Sequence, residues 1–194
     1  MPVRSLFPTL FYEDTLASPP LIEELEASVR TLAQDDTAGR RWSKEHGYRG
    51  YTSYASLDDL PHRDPAFADL KRNLDRHVAR FAAECGFHLA GKRLKLDSLW
   101  VNLLRPGGAH SGHIHPHSVV SGTCYVTVPP GSGALRLEDP RLGLMMAAPP
   151  RDDTFVHAAP TPGAIFLWES WLRHEVMPST AKTDRISISF NYRW

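Results

Sequence analysis

The sequence predicts a mainly β fold with flanking helices, and two observations carry that reading. From Lys92 onward, short apolar runs recur between Pro and Gly residues: Leu94–Leu104, Val119–Val128, Ala134–Leu137, Ala164–Trp168 and Arg185–Tyr192. Before Lys92, two stretches instead repeat apolar residues at three- and four-residue steps, the spacing of one face of a helix. The 194 residues suit one domain. Residues 1–91 then read as a helical and loop support, and 92–194 as a β-sandwich or barrel on which the two helices pack.

A short apolar start, Leu6 to Tyr12, leads to Ser18-Pro19-Pro20, after which Leu21, Ile22, Leu25 and Val29 mark a surface helix. Between Asp35 and Pro61 the pattern dissolves into Gly, Ser, Tyr and charged residues and reads as a long loop region. Asp64-Pro65 supplies an N-cap and a first helical position, Phe67, Leu70, Leu74, Val78 and Phe81 continue the stripe, and Gly86 stops it. His77 falls near that apolar face and reads as a packed residue. No internal repeat or low-complexity tract interrupts the chain.

Composition excludes several function classes. Lys plus Arg number 22 and Asp plus Glu number 22, so no broad cationic field awaits nucleic acid or an anionic membrane. Cys85 and Cys124 sit in no CxxC or zinc spacing and read as reduced thiols. The first residues lack the features of a signal peptide, and no segment approaches the roughly 20 apolar residues of a membrane span. The expected location is cytoplasmic by default.

The densest chemical signal is His110-Ser111-Gly112-His113-Ile114-His115-Pro116-His117, which follows the turn Pro106-Gly107-Gly108. In extended backbone the two-residue step would turn His113 and His115 to one side, with Ile114 on the other. A facial metal site needs a third ligand from elsewhere and leaves the remaining positions open. His174, after the run ending at Trp168, is the candidate. Glu138 or Asp139 remains a carboxylate alternative, and His110 and His117 read as residues of a solvated turn, placed to shield or orient the site rather than to bind the metal. In the strand headed by Arg185, Arg185 and Ser187 share a face, and a guanidinium fork beside a hydroxyl suits a carboxylate.

The chain resembles the 2-oxoglutarate and iron(II)-dependent oxygenases, within them a bacterial group with an HxH…H…RxS pattern. The resemblance rests on Trp100-Val101-Asn102, His113-Ile114-His115-Pro116, Ser121-Gly122-Thr123-Cys124-Tyr125-Val126, the segment Leu135 to Arg141, Pro162-Gly163, Trp171 to Val176, and Arg185 to Asn191. It implies a double-stranded β-helix, the cupin-like jelly roll, with iron(II) and 2-oxoglutarate as cofactors. It also implies that His113, His115 and His174 hold the metal and that Arg185 with Ser187 binds the distal carboxylate of 2-oxoglutarate, with Asn102 and Tyr125 adding hydrogen bonds. No further catalytic residue is implied. The wider superfamily has His-x-Asp or His-x-Glu where this chain has His-x-His, which leaves one more positive charge on the site.

Two rival readings remain open at this stage. A cupin-type metalloenzyme would use three histidines without 2-oxoglutarate, but Pro116 to Val120 lacks the glutamate that such a motif continues with. A non-catalytic β-sandwich could instead use a metal as a staple, with a closed four-ligand site. The expected partner is a small-molecule or peptide substrate. Nucleic acid and membrane are not expected, and the Asp64–Cys85 helix offers a surface for a homodimer. Tyr48, Tyr51, Tyr54, Trp168 and Trp171 form an aromatic set with no individual role assigned.

Overall fold

The structure, a computed structural model, describes residues 3–141, 146–147 and 149–194. The first half runs β1 (Phe11–Thr15), α1 (Pro19–Asp35), α2 (Thr37–Glu45), β2 (Gly50–Thr52), α3 (Leu60–Arg63) and α4 (Pro65–Glu84). The second half is mainly strand, with one 3-10 turn at Asp152–Thr154: β3 (Lys95–Leu104), β4 (His110–His113), β5 (Val120–Thr127), β6 (Leu135–Glu138), β7 (Phe155–Ala158), β8 (Ala164–Glu169), β9 (His174–Val176) and β10 (Arg185–Arg193). They form two antiparallel sheets, in the orders β1-β8-β5-β10-β3-β2 and β4-β9-β6-β7. This is the double-stranded β-helix expected from the sequence.

The larger sheet is buried on both faces, and the two-residue period divides its side chains between them. One face carries Leu99, Val101 and Leu103 of β3, Cys124 of β5, Ile165 and Leu167 of β8, and Ile186, Ile188 and Phe190 of β10. These pack in one core with Leu21, Leu25 and Val29 of α1 and with Phe67, Leu70, Leu74, Val78 and Phe81 of α4. The opposite face carries Tyr125, Phe166 and Trp168, which meet Leu135, Leu137 and Ala158 of the smaller sheet. Along β10 and β3 that inner face turns polar, with Arg185, Ser187, Ser189 and Asn191 alternating against the apolar set and Ser187 opposite Asn102. A sandwich apolar at one end and polar at the other has a cleft between its sheets.

Helix α4 starts and stops as its sequence demands. Asp64 accepts a hydrogen bond from the Ala66 backbone N–H at 2.8 Å and another from the Ser28 hydroxyl at 2.6 Å, which ties the cap to α1. Gly86 then takes φ +70° just past the helix end. His77 is buried on the inner stripe, with Nδ1 2.9 Å from the Tyr12 hydroxyl, as a packed residue should be.

The segment expected as loop, Asp35 to Pro61, contains α2, β2 and the start of α3 instead. One carboxylate organises it. Asp36 accepts from the Gly39 N–H at 2.9 Å, the Tyr51 hydroxyl at 2.9 Å and the Ser56 hydroxyl at 2.5 Å. Loss of such a cap costs about 1 kcal/mol. Periodicity misses α2 because Trp42 is its one large apolar residue, so a polar cap rather than a buried stripe defines it. The first 91 residues also supply both edges of the larger sheet, β1 against β8 and β2 against β3. Among the described residues no helix is long and apolar enough to cross a membrane.

Candidate metal centre and its cleft

Two short strands bring the three histidines together. His113 ends β4 and His174 opens β9, and the two are direct partners in the antiparallel register. His115 lies beyond the end of β4, where its N–H donates to the Ser170 carbonyl at 3.0 Å. Only His113 of the pair is therefore in a strand, and the turn after it, rather than pleat alternation, aims His115. The ring centroids stand 5.0 Å apart for His113 and His115, 4.4 Å for His113 and His174, and 5.1 Å for His115 and His174. One nitrogen from each lies within 4.8 Å of the others.

Outer contacts decide which nitrogens point inward. Nδ1 of His113 lies 2.7 Å from the Ser111 carbonyl, and Nδ1 of His174 lies 2.8 Å from the Leu172 carbonyl. A carbonyl can only accept, so each Nδ1 carries the proton and each Nε2 presents a lone pair. Nδ1 of His115 faces the Asn191 side-chain amide at 3.4 Å. The Nε2 atoms of His115 and His174 are 3.2 Å apart. Two adjacent ligands at right angles about an ion, each at the usual metal–nitrogen distance of about 2.1 Å, would be roughly 3 Å apart, so the spacing fits a divalent transition metal.

The carboxylate alternatives lie elsewhere. Glu138 is bound by Arg173 at 3.0 Å, and Asp139 by Arg141, whose contacts hold its carboxyl down at about 2. Among the described residues the cluster contains no Asp or Glu.

Burial favours the neutral form of His174, His115 and His110, and the neutral imidazole is the form that binds metal. It pushes His174 down to about 3, assisted by its histidine neighbours and opposed by the Leu172 carbonyl. Burial likewise takes His115 to about 4, with His113 adding to it, and His110 to about 4, with Arg185 and His113 adding. A stability prediction follows for the metal-free protein. Unfolded imidazoles titrate near 6.5 and these folded ones near 3 to 4, so between those values the unfolded chain binds more protons. Stability should be flat above about pH 6.5 and fall, by several kcal/mol, as pH drops toward 4. Urea unfolding at stepped pH reads this directly, and a stability constant from pH 7 to 4.5 would contradict neutral buried rings.

The cleft beside the imidazoles holds about 460 Å³. Asn102, Arg185 and Ser187 line it together with the three histidines. Tyr125 stands behind them, its ring 5.0 Å from the Arg185 guanidinium. Arg185 is 2% exposed; its Nη1 donates to the Gly133 carbonyl at 3.2 Å, and its Nε has no partner. Among the described residues the Tyr125 hydroxyl and the Trp168 indole N–H are also buried without a well-formed hydrogen bond, the Tyr125 hydroxyl lying beside the Arg185 guanidinium. Among the described residues no carboxylate pairs with Arg185. A buried guanidinium and two unsatisfied donors are costly unless an anion meets them, which suits a small dicarboxylate. Asn102 differs, because its amide already accepts from Thr52 at 3.0 Å and Tyr48 at 3.3 Å and donates to Ser189 at 3.1 Å.

Residues of the first half complete the cleft. Tyr48, between α2 and β2, places its hydroxyl 2.8 Å from Nε2 of His110, which so stands in the wall beside the three histidines. Trp42, Tyr54 and Trp100 form the rim. Of the aromatic set, Tyr48, Tyr54 and Trp168 line this cleft, whereas Tyr51 and Trp171 line other cavities. The one sequence signal for Trp42 and Tyr48 was the aromatic content of a segment without periodicity.

The jelly roll thus brings a cluster of three histidines and a buried guanidinium into one cleft. Residues 98–191 match the sequence profile of a family described as "Putative 2OG-Fe(II) oxygenase". This segment is a 2OG-Fe(II) oxygenase domain, whose cofactors are iron(II) and 2-oxoglutarate. Solved structures share the fold at low identity. A prolyl-4-hydroxylase from Pseudomonas putida superposes with a TM-score of 0.65 at 19% identity, over 96% of this chain and 94% of that one. A prolyl hydroxylase from Trichoplax adhaerens, in complex with a hypoxia inducible factor peptide fragment, gives 0.64 at 18% identity over 94% and 83%. HygX from Streptomyces hygroscopicus, with nickel and 2-oxoglutarate bound, gives 0.62 at 14% identity over 95% and 82%. No protein of curated function matches the chain by sequence.

Proposed function

We propose that His113, His115 and His174 hold iron(II), that Arg185 with Ser187 receives the distal carboxylate of 2-oxoglutarate, and that the enzyme hydroxylates a small molecule or peptide. The carrying observation is the pairing, in one cleft, of three converging imidazoles with a buried guanidinium that no carboxylate among the described residues neutralises. A three-histidine metal site working without 2-oxoglutarate leaves that guanidinium unexplained. Residues 1–194 act as one domain in this reading, because β1 and β2 complete the larger sheet.

Bound in this cleft, iron(II) and 2-oxoglutarate would supply an oxidant made from dioxygen, with succinate and carbon dioxide leaving. The chain's own residues bind and orient. The carbonyls of Ser111 and Leu172 fix two imidazoles with Nε2 inward. Arg185 offers a buried charged fork in the wall of the cleft, beside the Tyr125 ring, and the Trp168 N–H is a further donor in the same cleft. Asn102, held by Thr52, Tyr48 and Ser189, is a rigid polar wall that keeps this end shaped. Tyr54, 60% exposed, stacks edge-on to Trp100 at 5.4 Å and gives the open side an apolar face for substrate.

Many oxygenases of this kind turn over 2-oxoglutarate slowly without a substrate, which gives a test needing no substrate identity. Iron(II)-loaded protein in air should form succinate from 2-oxoglutarate with matching oxygen uptake. Succinate at the level of a no-protein control, in protein shown to hold iron, would refute the assignment of this cleft.

A further inference from the structure

Tyr48 borders two cavities, the cleft described above and a second one of about 600 Å³ between α1, α2 and the β2 edge of the larger sheet. Arg40, Lys44, Arg49 and Arg105 line the second cavity, against Asp184 as its carboxylate. Arg30 also reaches it but is held by Glu26 at 2.6 Å. None of the other four cations has an ion-pair partner among the described residues; Arg40 donates only to the Gln34 carbonyl, at 2.9 Å. On a chain with equal numbers of acids and bases, this concentration of free cations in a concavity is local.

The backbone enforces the closest of these contacts. Gly50 pairs with Leu104, and one residue further the Arg105 N–H donates to the Arg49 carbonyl at 2.9 Å, so the two arginines face each other across the strands. Gly50 takes φ +151°, and a Cβ there would lie 1.9 Å from the Leu103 carbonyl oxygen; glycine is what lets the strands close. Like charges directly opposite one another destabilise a strand pair, and among the described residues no carboxylate forms an ion pair with either arginine, Asp184 being the cavity's one acid. Guanidinium forks and an ammonium around one concavity match the several oxygens of a phosphate group, while Tyr51 and Leu103 provide buried apolar wall for the rest of a ligand.

We propose that this cavity is a binding site for a phosphorylated small molecule, gripped by Arg40, Lys44, Arg49 and Arg105 and separated from the oxygenase cleft by Tyr48. The site stands on its own residues and does not depend on how the histidines are used.

Calorimetric titration of the metal-free full chain with pyrophosphate, at low ionic strength, tests this. Saturable binding at one site per chain is expected, unchanged by saturating 2-oxoglutarate, with succinate at least about tenfold weaker. Arg49→Gln/Arg105→Gln should weaken pyrophosphate at least about tenfold, and Lys44→Gln several-fold, whereas Arg72→Gln/Arg76→Gln on α4 should leave it unchanged. Melting temperatures of the variants confirm folding, and Lys44→Gln carries the test if the double variant does not fold. Equal weakening by the α4 variant would reduce the effect to general charge. Absent saturation, displacement by 2-oxoglutarate, or succinate binding as tightly as pyrophosphate would each overturn the proposal.

Discussion

His174→Ala is expected to abolish iron(II) retention and, with it, 2-oxoglutarate turnover. His174 is buried, is the direct strand partner of His113, and has its Nδ1 fixed on the Leu172 carbonyl, so its Nε2 is the most rigidly aimed nitrogen of the three. Loss of an outer partner of a metal ligand typically costs about 10- to 100-fold in affinity, and loss of a ligand itself should exceed that. Anaerobic equilibrium dialysis against iron(II) measures it, and circular dichroism confirms that the variant folds. Wild-type iron affinity in a folded His174→Ala protein would remove this residue from the centre.

Arg185→Ala should separate the two cofactors. Iron retention is expected to persist, while the dissociation constant for 2-oxoglutarate rises roughly 10- to 100-fold, the worth of a charged hydrogen-bonded contact in a buried setting. Arg185→Lys keeps the charge but loses the planar fork, so it should fall between the two. The substitution has a structural side as well: the wild-type guanidinium is buried with an unpartnered Nε, and a smaller neutral residue relieves that cost. Retained or increased resistance to urea, together with weakened co-substrate binding, is therefore the expected signature. Equal loss of stability and of 2-oxoglutarate affinity would instead mark Arg185 as a structural residue.

Five strands of the second half were legible because their apolar runs are punctuated by Pro and Gly; β3, β5, β6, β8 and β10 lie where those runs place them, β6 despite its four residues. β4, β7 and β9 are three or four residues long and leave little periodic signal, yet β4 and β9 carry two of the three histidines. The likeness of His113-x-His115, His174 and Arg185-x-Ser187 to a known pattern, rather than any strand signal, therefore singled out the residues that the fold brings into one cleft. Alternation did identify the Arg185–Ser187 face, because β10 runs without a break through both. The aromatic and tyrosine wall was not legible. Trp42 and Tyr48 belong to a segment held by the Asp36 carboxylate, and such polar organisation has no period to read.

On the proposed ligand set of His113, His115 and His174, the extra positive charge of an all-histidine site would bear on both cofactors. With three neutral imidazoles, an iron(II) ion keeps its full charge of two until an anion reaches it, and a dianionic co-substrate is the natural counter-charge. Arg185 adds a further cation in the wall of the same cleft. Co-substrate binding should accordingly weaken with added salt less than a surface pair would, because both cations are buried.

The most direct test of the central claim is the visible spectrum of the anaerobic iron(II) protein as 2-oxoglutarate is added. Chelation of an imidazole-bound iron(II) by a 2-oxo acid gives a weak metal-to-ligand charge-transfer band. Such a band is expected in the wild type, absent in His174→Ala, and shifted to higher 2-oxoglutarate concentrations in Arg185→Ala. Stoichiometric iron binding with no band at any 2-oxoglutarate concentration would contradict the account, leaving a metal centre that does not use this co-substrate in this cleft.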